Sequence, residues 1–249
     1  MMHYEVRGNP DGPTLVLVHG FLSSNVQWDL NVERLGADLR LVLVELMGHG
    51  GSPTPDDPTP YRLDAVLRSF EQIRTEVDVD RWWVCGQSLG AAIALRYVLA
   101  HQERVHGVIV TNTRAAFGHT ANDPNLVDYS QIDLRELPVH PIHARRFPEA
   151  IKARMVERAD AIPPHALTHT VVNRPSWRSV DELGELTMPV MLINGRFERA
   201  FQPFVDDARL NLPTIEVVHL AGGHSINVEQ PEAFDAAVLE FVSRHGQSD

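Results

Sequence analysis

The 249-residue chain has one cysteine, Cys85, and therefore no internal disulfide; nothing in it asks for an oxidising compartment. It also lacks a surplus of positive charge: 22 Lys and Arg stand against 33 Asp and Glu, a formal net charge of −11 with histidine neutral. That balance excludes the basic footprint nucleic acid requires and disfavours anionic membrane surfaces. No uninterrupted apolar run nears the ~20 residues of a membrane-spanning helix. The opening residues, Met1-Met2-His3-Tyr4-Glu5-Val6-Arg7, hold no apolar signal core. Internal repeats and low-complexity tracts are absent too. The expectation is a cytoplasmic protein with neither a nucleic-acid nor a membrane partner.

What is present is a globular composition: 43% hydrophobic residues offset the entropy of ordering the chain. The length suits one large α/β domain or two small ones. Short apolar runs at 14–18, 40–45, 81–85, 105–111, 189–194 and 214–220 read as strands. They are rich in Val, Leu and Ile without strict alternation, as strands covered on both faces are. A weaker strand at 3–7 is joined to the first by the turn residues Gly8-Asn9-Pro10-Asp11-Gly12-Pro13, which predicts an antiparallel hairpin at one sheet edge. Helical patterns fill the gaps. Residues 61–77 place Leu63, Val66, Leu67, Phe70 and Val77 on one stripe behind Pro60, and 231–244 begin at Pro231 with Phe234, Val238 and Phe241 at helical spacing. The predicted fold class is α/β, a mostly parallel central sheet flanked by helices. Residues 113–187 break the rhythm, being rich in Pro and His with no convincing strand. They read as a helical cap inserted into a core of residues 1–112 and 188–249, placed over the strand ends where open α/β sheets bind ligands.

The sharpest local signal is Gly86-Gln87-Ser88-Leu89-Gly90, directly after one strand and before the apolar helical run 91–99. A serine thrust out on a very sharp turn needs small residues two positions to either side, and Gly86 and Gly90 are small. The turn puts Ser88 at a helix N-terminus, where the Leu89 amide can donate to a developing oxyanion. A hydroxyl needs a base to act as nucleophile. Of 13 histidines, His224 lies in the loop after the last strand, at the same sheet edge as Ser88. The base needs an orienting acid. Glu198 is the first carboxylate beyond the strand at 189–194, whereas Asp206 and Asp207 fall inside the next helix and face solvent. The order Ser88, Glu198, His224 is one of the known triad orders. A second oxyanion donor is expected from the Phe21 amide, after His19-Gly20 at the end of the first central strand.

In these segments, and in Gly48-His49-Gly50-Gly51-Ser52 between them, the chain resembles the α/β-hydrolase fold superfamily, in its small cap-bearing serine esterase-like branch. The resemblance implies Ser88 as nucleophile, His224 as base, Glu198 as acid, Phe21 and Leu89 as oxyanion donors, and no cofactor. Two positions depart from the pattern: Glu198 stands where relatives commonly carry Asp, and Glu45-Leu46-Met47 replaces a segment that usually begins with Asp. A serine at the elbow argues against the haloalkane dehalogenase, epoxide hydrolase and dienelactone hydrolase branches.

Other features read as structural. Gly48-His49-Gly50-Gly51-Ser52 lacks the Lys and the following helix of a phosphate loop and is expected at the surface, with His49 a structural residue. His140 with His143, and His165 with His169, have helical spacing but no completing ligands, so no metal is expected and they read as solvent histidines. Arg145, Arg146, Arg154 and Arg158 read as a solvated helix face. Trp28, Phe117, Phe147 and Trp177, with Phe201, are candidates for a substrate pocket, each equally suited to core packing. Cys85 is expected to be buried and inert.

The expected activity is hydrolysis of a carboxylic ester or related acyl bond of a small, partly apolar substrate through an acyl-enzyme. The alternatives are a triad-dependent lyase like that of the menaquinone pathway, a carbon–carbon bond hydrolase or an acyl-homoserine lactone hydrolase on the same fold. A third is a non-catalytic ligand receptor.

Overall fold

A computed structural model describes residues 1–117 and 129–246. Seven strands form one sheet: β1 (Tyr4–Gly8), β2 (Thr14–Val18), β3 (Arg40–Val44), β4 (Trp82–Gly86), β5 (Val105–Thr111), β6 (Val190–Gly195) and β7 (Glu216–Leu220). Their order across the sheet is β1-β3-β2-β4-β5-β6-β7, with β1 antiparallel and the rest parallel. The strands lie within a residue or two of the predicted apolar runs.

The two-residue period of each strand sorts its side chains to opposite faces. Val16, Val18, Val42, Val44, Val84, Val108 and Val110 form one core layer with Phe70 and Ile73 of α2 (Leu63–Glu76) and the apolar face of α3 (Leu89–Ala100). Leu15, Leu17, Leu41, Leu43, Trp83, Cys85 and Ile109 form the other, with Leu35 of α1 (Val32–Asp38) and Phe234, Val238 and Phe241 of α9 (Pro231–His245). Cover on both faces is why these strands show no polar alternation. Trp82 and Trp83 are both buried, one in each layer. Burial also raises the Cys85 thiol pKa far above its ordinary value, so the thiol stays protonated.

Two expectations are corrected. β1 is an edge strand, but it does not form a hairpin with β2; it pairs with β3, Tyr4 opposite Val44 and Gly8 opposite Arg40. The turn residues run across the start of β3 instead of folding back, with Asn9 N–H donating to Leu39 O (3.0 Å) and Arg40 N–H to Pro13 O (3.1 Å). That leaves both edges of the fully buried β2 for parallel partners and puts the half-exposed β1 at the rim. Secondly, Pro60 does not begin α2. It sits in a single 3-10 turn, Thr59–Tyr61, and extended Arg62 intervenes.

Between β5 and β6 the described chain holds helices and 3-10 turns and no strand: α4 (Arg114–Phe117), α5 (Glu149–Asp160) and α6 (Pro164–Val172), with turns such as Pro141–His143 and Val180–Glu185. The expected insertion, 113–187, falls here; its residues 118–128 lie outside those described. After β6 come α7 (Gln202–Asn211) and, between β7 and α9, α8 (Ile226–Glu229). Among the described residues no helix is long and apolar enough to cross a membrane.

Candidate active site

Parallel strands all present their carboxyl ends at one edge, so the loops after β2, β4, β5, β6 and β7 converge there. The tightest of them joins β4 to α3. Ser88 has φ 52° and ψ −111°, a left-handed conformation costing a non-glycine residue on the order of 1–3 kcal/mol. The turn closes only because its flanks are bare. A Cβ on Gly90 would lie 2.2 Å from Val18 O and 2.5 Å from His19 O, and one on Gly86 would lie 2.4 Å from Gly90 O. These are backbone atoms that cannot swing aside. Gly90→Ala is therefore expected to lose about 1–3 kcal/mol of stability or more; a denaturation midpoint equal to that of the unaltered protein would refute the steric account.

His224 follows β7 and reaches across to Ser88, with Nε2 2.8 Å from Oγ. On the other side of the ring, Nδ1 lies 3.0 Å from Glu198 Oε2. This separation suits an ion pair, but the N–H does not point squarely at the oxygen, so no aligned hydrogen bond is formed. Such contacts commonly tighten when substrate binds. The sequence-predicted Ser88, His224 and Glu198 are thus brought into one chain of contacts. Asp206 is exposed in α7, and Asp207 is carried on the same helix, away from the cleft.

Leu89 is the first residue of α3, so its N–H has no acceptor within the helix. Among the described residues, neither it nor the N–H of Phe21 has a hydrogen-bond acceptor. Phe21, Ser88 and His224 line one cleft of about 160 Å³. The segment between β5 and β6 supplies Val139, His140, Phe147 and Met155 among others to its wall, and polar Ser23, Gln27, Gln87 and Glu229 also line it. No cluster of metal-ligating side chains occurs among the described residues.

Of the candidate pocket aromatics, Phe147 lines this cleft. Trp28 is fully buried against Phe234, with ring centroids 6.1 Å apart, in the core layer beneath the sheet. Phe117 packs on Phe201, centroids 5.9 Å apart. Trp177 joins the core with Val180 and Leu183 beside a small separate hollow. All three are core residues because bulky apolar rings gain more from full burial than from lining a partly polar cleft.

Several supporting residues were given no role by the sequence. Asn112, just past β5, donates from Nδ2 to Glu198 Oε2 (2.7 Å) and exchanges bonds with Gly195, so the acid loop is pinned to the neighbouring strand. Gln87 Nε2 donates to His224 O (3.0 Å). Glu229 Oε2 accepts the N–H of Gly223 (2.8 Å) and lies 3.6 Å from Arg146, whose guanidinium sits 4.8 Å above the Phe197 ring. For Asn112 and Gln87 the available signal was position, immediately beyond a strand end; Glu229, at the end of α8, carried none. Glu45 is another case. Its carboxylate accepts the N–H groups of Asn25 and Gly51, stitching the loops after β2 and β3.

The structure also revises four peripheral readings. His49 and Gly48 are buried, not at the surface, although Gly50 and Gly51 are exposed. His140 is not a solvent histidine: its side chain is buried beside Asp160 (3.2 Å) and it faces the cleft. Burial lowers its pKa, the Asp160 carboxylate opposing. His165 and His169 dock on Thr54 O and Asp56 O, joining α6 to the loop before α2. Of the arginine stripe, Arg146 is engaged by Glu229, and Arg154 pairs with Asp29.

A parallel sheet with this strand order, carrying a serine on a strained strand-to-helix turn opposite a loop histidine, defines the architecture built around a nucleophile elbow. Residues 13–167 match the family model described as alpha/beta hydrolase fold, and the chain belongs to that family. It is 29% identical to the pimeloyl-[acyl-carrier protein] methyl ester esterase of Stenotrophomonas maltophilia, the match covering 97% of this chain and 96% of that protein. It is 24% identical to the 2-succinyl-6-hydroxy-2,4-cyclohexadiene-1-carboxylate synthase of Serratia proteamaculans, over 96% and 97% of the two chains. The crystal structure of the enol-lactonase from Burkholderia xenovorans superposes with a TM-score of 0.85 at 19% identity, covering 97% of this chain and 96% of that one.

Proposed function

We propose that the protein is a serine hydrolase that cleaves a carboxylic ester or related acyl bond of a small, partly apolar substrate. The observation that carries this reading is the continuous contact from Ser88 Oγ to His224 Nε2 (2.8 Å) and from Nδ1 to Glu198 (3.0 Å). Likeness to an esterase over almost the whole chain supports it. Ser88 Oγ attacks the carbonyl carbon while its proton passes to His224 Nε2, and the carbonyl electron pair moves onto oxygen. The N–H groups of Phe21 and Leu89 receive that oxyanion. Its collapse expels the leaving alkoxide, which takes the proton from His224, and the acyl group stays on Ser88. Water then gives a proton to His224 and attacks the acyl carbon; the second collapse returns the proton to Ser88 and frees the acid. Glu198 stabilises the imidazolium in both halves. The segment between β5 and β6 acts as a cap that bounds the acyl site, and no cofactor takes part.

The test is brief incubation with a p-nitrophenyl ester followed by intact-protein mass spectrometry, with fluorophosphonate labelling alongside. An acyl adduct and a phosphonyl adduct, both mapped to Ser88, are expected. Similarity to the Serratia synthase favours one second reading, a lyase in which the triad removes a proton from carbon. Such a protein neither turns over simple esters nor forms an acyl adduct with them, and an unmodified mass together with no release of p-nitrophenol would select it.

A further inference from the structure

We infer that buried His19 and Gln27 act as positioning residues for the oxyanion site, His19 holding the Gly20–Phe21 peptide and Gln27 the His19–Gly20 peptide before it, so that the Phe21 N–H faces the cleft. The inference rests on the serine-hydrolase reading and adds what orients the oxyanion donor that lies outside a helix. Leu89 N–H is aimed by a helix; Phe21 N–H belongs to a loop and has no such frame.

The geometry determines the His19 tautomer. Leu46 N–H is a donor and lies 3.0 Å from His19 Nε2, so Nε2 must be the bare, accepting nitrogen. A neutral ring then carries its proton on Nδ1, which lies 2.7 Å from Gly20 O and donates to it. His19 is fully buried, and burial pushes its pKa down to about 4, which keeps the ring neutral. The C=O of Gly20 and the N–H of Phe21 are parts of one planar trans peptide and point in opposite directions. Fastening the carbonyl to His19 therefore fixes the direction of the Phe21 N–H.

The other polar group of Gly20 is fastened as well, its N–H donating to Gln27 Oε1 at 2.9 Å. Gln27 is itself tied to α8: its backbone carbonyl accepts from Asn227 Nδ2 (2.9 Å), three residues after His224. Gly20 thus has both backbone groups held by buried side chains, and it abuts the elbow, since a Cβ there would lie 3.4 Å from Ser88 Cβ. The Phe21 peptide cannot turn without breaking a buried hydrogen bond that no water can replace.

Two substitutions at one position separate this role from plain packing. Asparagine places its amide nitrogen where Nδ1 stands and can still donate to Gly20 O. Glutamine places its amide where Nε2 stands; it can serve Leu46 N–H but leaves Gly20 O free. With p-nitrophenyl acetate and kcat expressed per fluorophosphonate-titrated site, His19→Gln is expected to lower kcat about 10- to 100-fold with KM within about twofold. His19→Asn should stay within about threefold of the unaltered enzyme. Affinity for a boronic acid that forms a tetrahedral adduct should fall in His19→Gln by the same factor as kcat/KM. A folded His19→Gln with unimpaired kcat, or equal losses in both variants, overturns the proposal. If His19→Gln does not fold, Gln27→Met carries the test: about a tenfold loss in kcat supports it and none overturns it. Ser88→Ala, run alongside, separates the two levels. Full turnover there sinks the serine reading and this one with it, whereas an inert Ser88→Ala beside an unimpaired His19→Gln sinks only the positioning role.

Discussion

Replacing Ser88 with alanine is expected to lower kcat by about 10⁵- to 10⁶-fold, and His224→Ala by a similar factor, with the double variant no slower than either alone. The two single effects are not expected to add because in the proposed mechanism the hydroxyl and the imidazole, with Nε2 2.8 Å from Oγ, act as one unit and removing either leaves no activated nucleophile. Glu198→Gln should behave differently. Oε2 is the oxygen nearest both His224 Nδ1 (3.0 Å) and Asn112 Nδ2 (2.7 Å). Asn112 Nδ2 donates to that oxygen and His224 Nδ1 lies within ion-pair distance of it, so a glutamine would place its carbonyl oxygen at that point, as an acceptor, and its amide outward. The His224 tautomer would survive and only the charge would be lost, costing the difference between a charged and a neutral hydrogen bond once the contact tightens on substrate, about 1–1.5 kcal/mol, or roughly tenfold in rate. Glu198→Ala, which removes the acceptor altogether, should be slower than Glu198→Gln. Steady-state kinetics of the set on one ester checks the pattern; equal losses in the two Glu198 variants would show that Asn112 does not orient the side chain.

The second large effect is on acid stability. His19 and His49 are fully buried and lie 5.2 Å apart, ring to ring. Burial lowers their pKa values to about 4 and about 3, from 6.5, the neighbouring ring adding to the effect on His49. A folded state that resists protonation binds fewer protons than the unfolded chain. The stability these groups contribute is complete above pH 6.5 and is lost as pH falls toward their folded values. Asp235 works in the opposite sense. Burial raises its pKa to about 6 from 3.8, although Asn31 and Arg34 oppose the shift, so the folded state holds a proton there that the unfolded chain has released. Between about pH 5 and 6 the two histidines, less the aspartate, leave a net difference of about one proton, a fall of ~1.4 kcal/mol per pH unit on acidification. His49→Asn should flatten that slope and Asp235→Asn should steepen it toward two protons. Urea unfolding at pH 5.0, 5.5, 6.0 and 7.0 measures all three; a slope in His49→Asn equal to that of the unaltered protein would show that His49 is not held neutral.

Much of the site was legible because it is written in short local patterns. Gly86-Gln87-Ser88-Leu89-Gly90 reads as a turn since its constraint is steric and lies within five residues; the Cβ clashes at Gly86 and Gly90 are its physical form. Glu198 and His224 were found by their places after apolar runs, because parallel strands bring all such loops to one edge. The supporting cast was not legible in the same way. Asn112, Gln27 and Glu229 hold atoms far away in the chain, and a lone polar residue gives no sign of its partner. His19 was noted only as part of a strand-end turn and His140 only for its spacing from His143; that both side chains are buried was not visible in the sequence. The aromatics misled for the same reason: hydrophobicity says that a Trp will be covered but not by what.

By itself the sequence determined the layer architecture and the three residues of the candidate triad, since two-residue periodicity, strand-end placement and the glycines of a sharp turn are local properties. The tertiary structure decided that β1 joins β3 and not β2, that Trp28, Phe117 and Trp177 belong to the core, and that buried His19 and Gln27 meet the two backbone groups of Gly20. Those outcomes depend on which surfaces meet. Burial free energy and hydrogen-bond pairing between residues hundreds of positions apart are properties of the assembled chain, not of any segment of it.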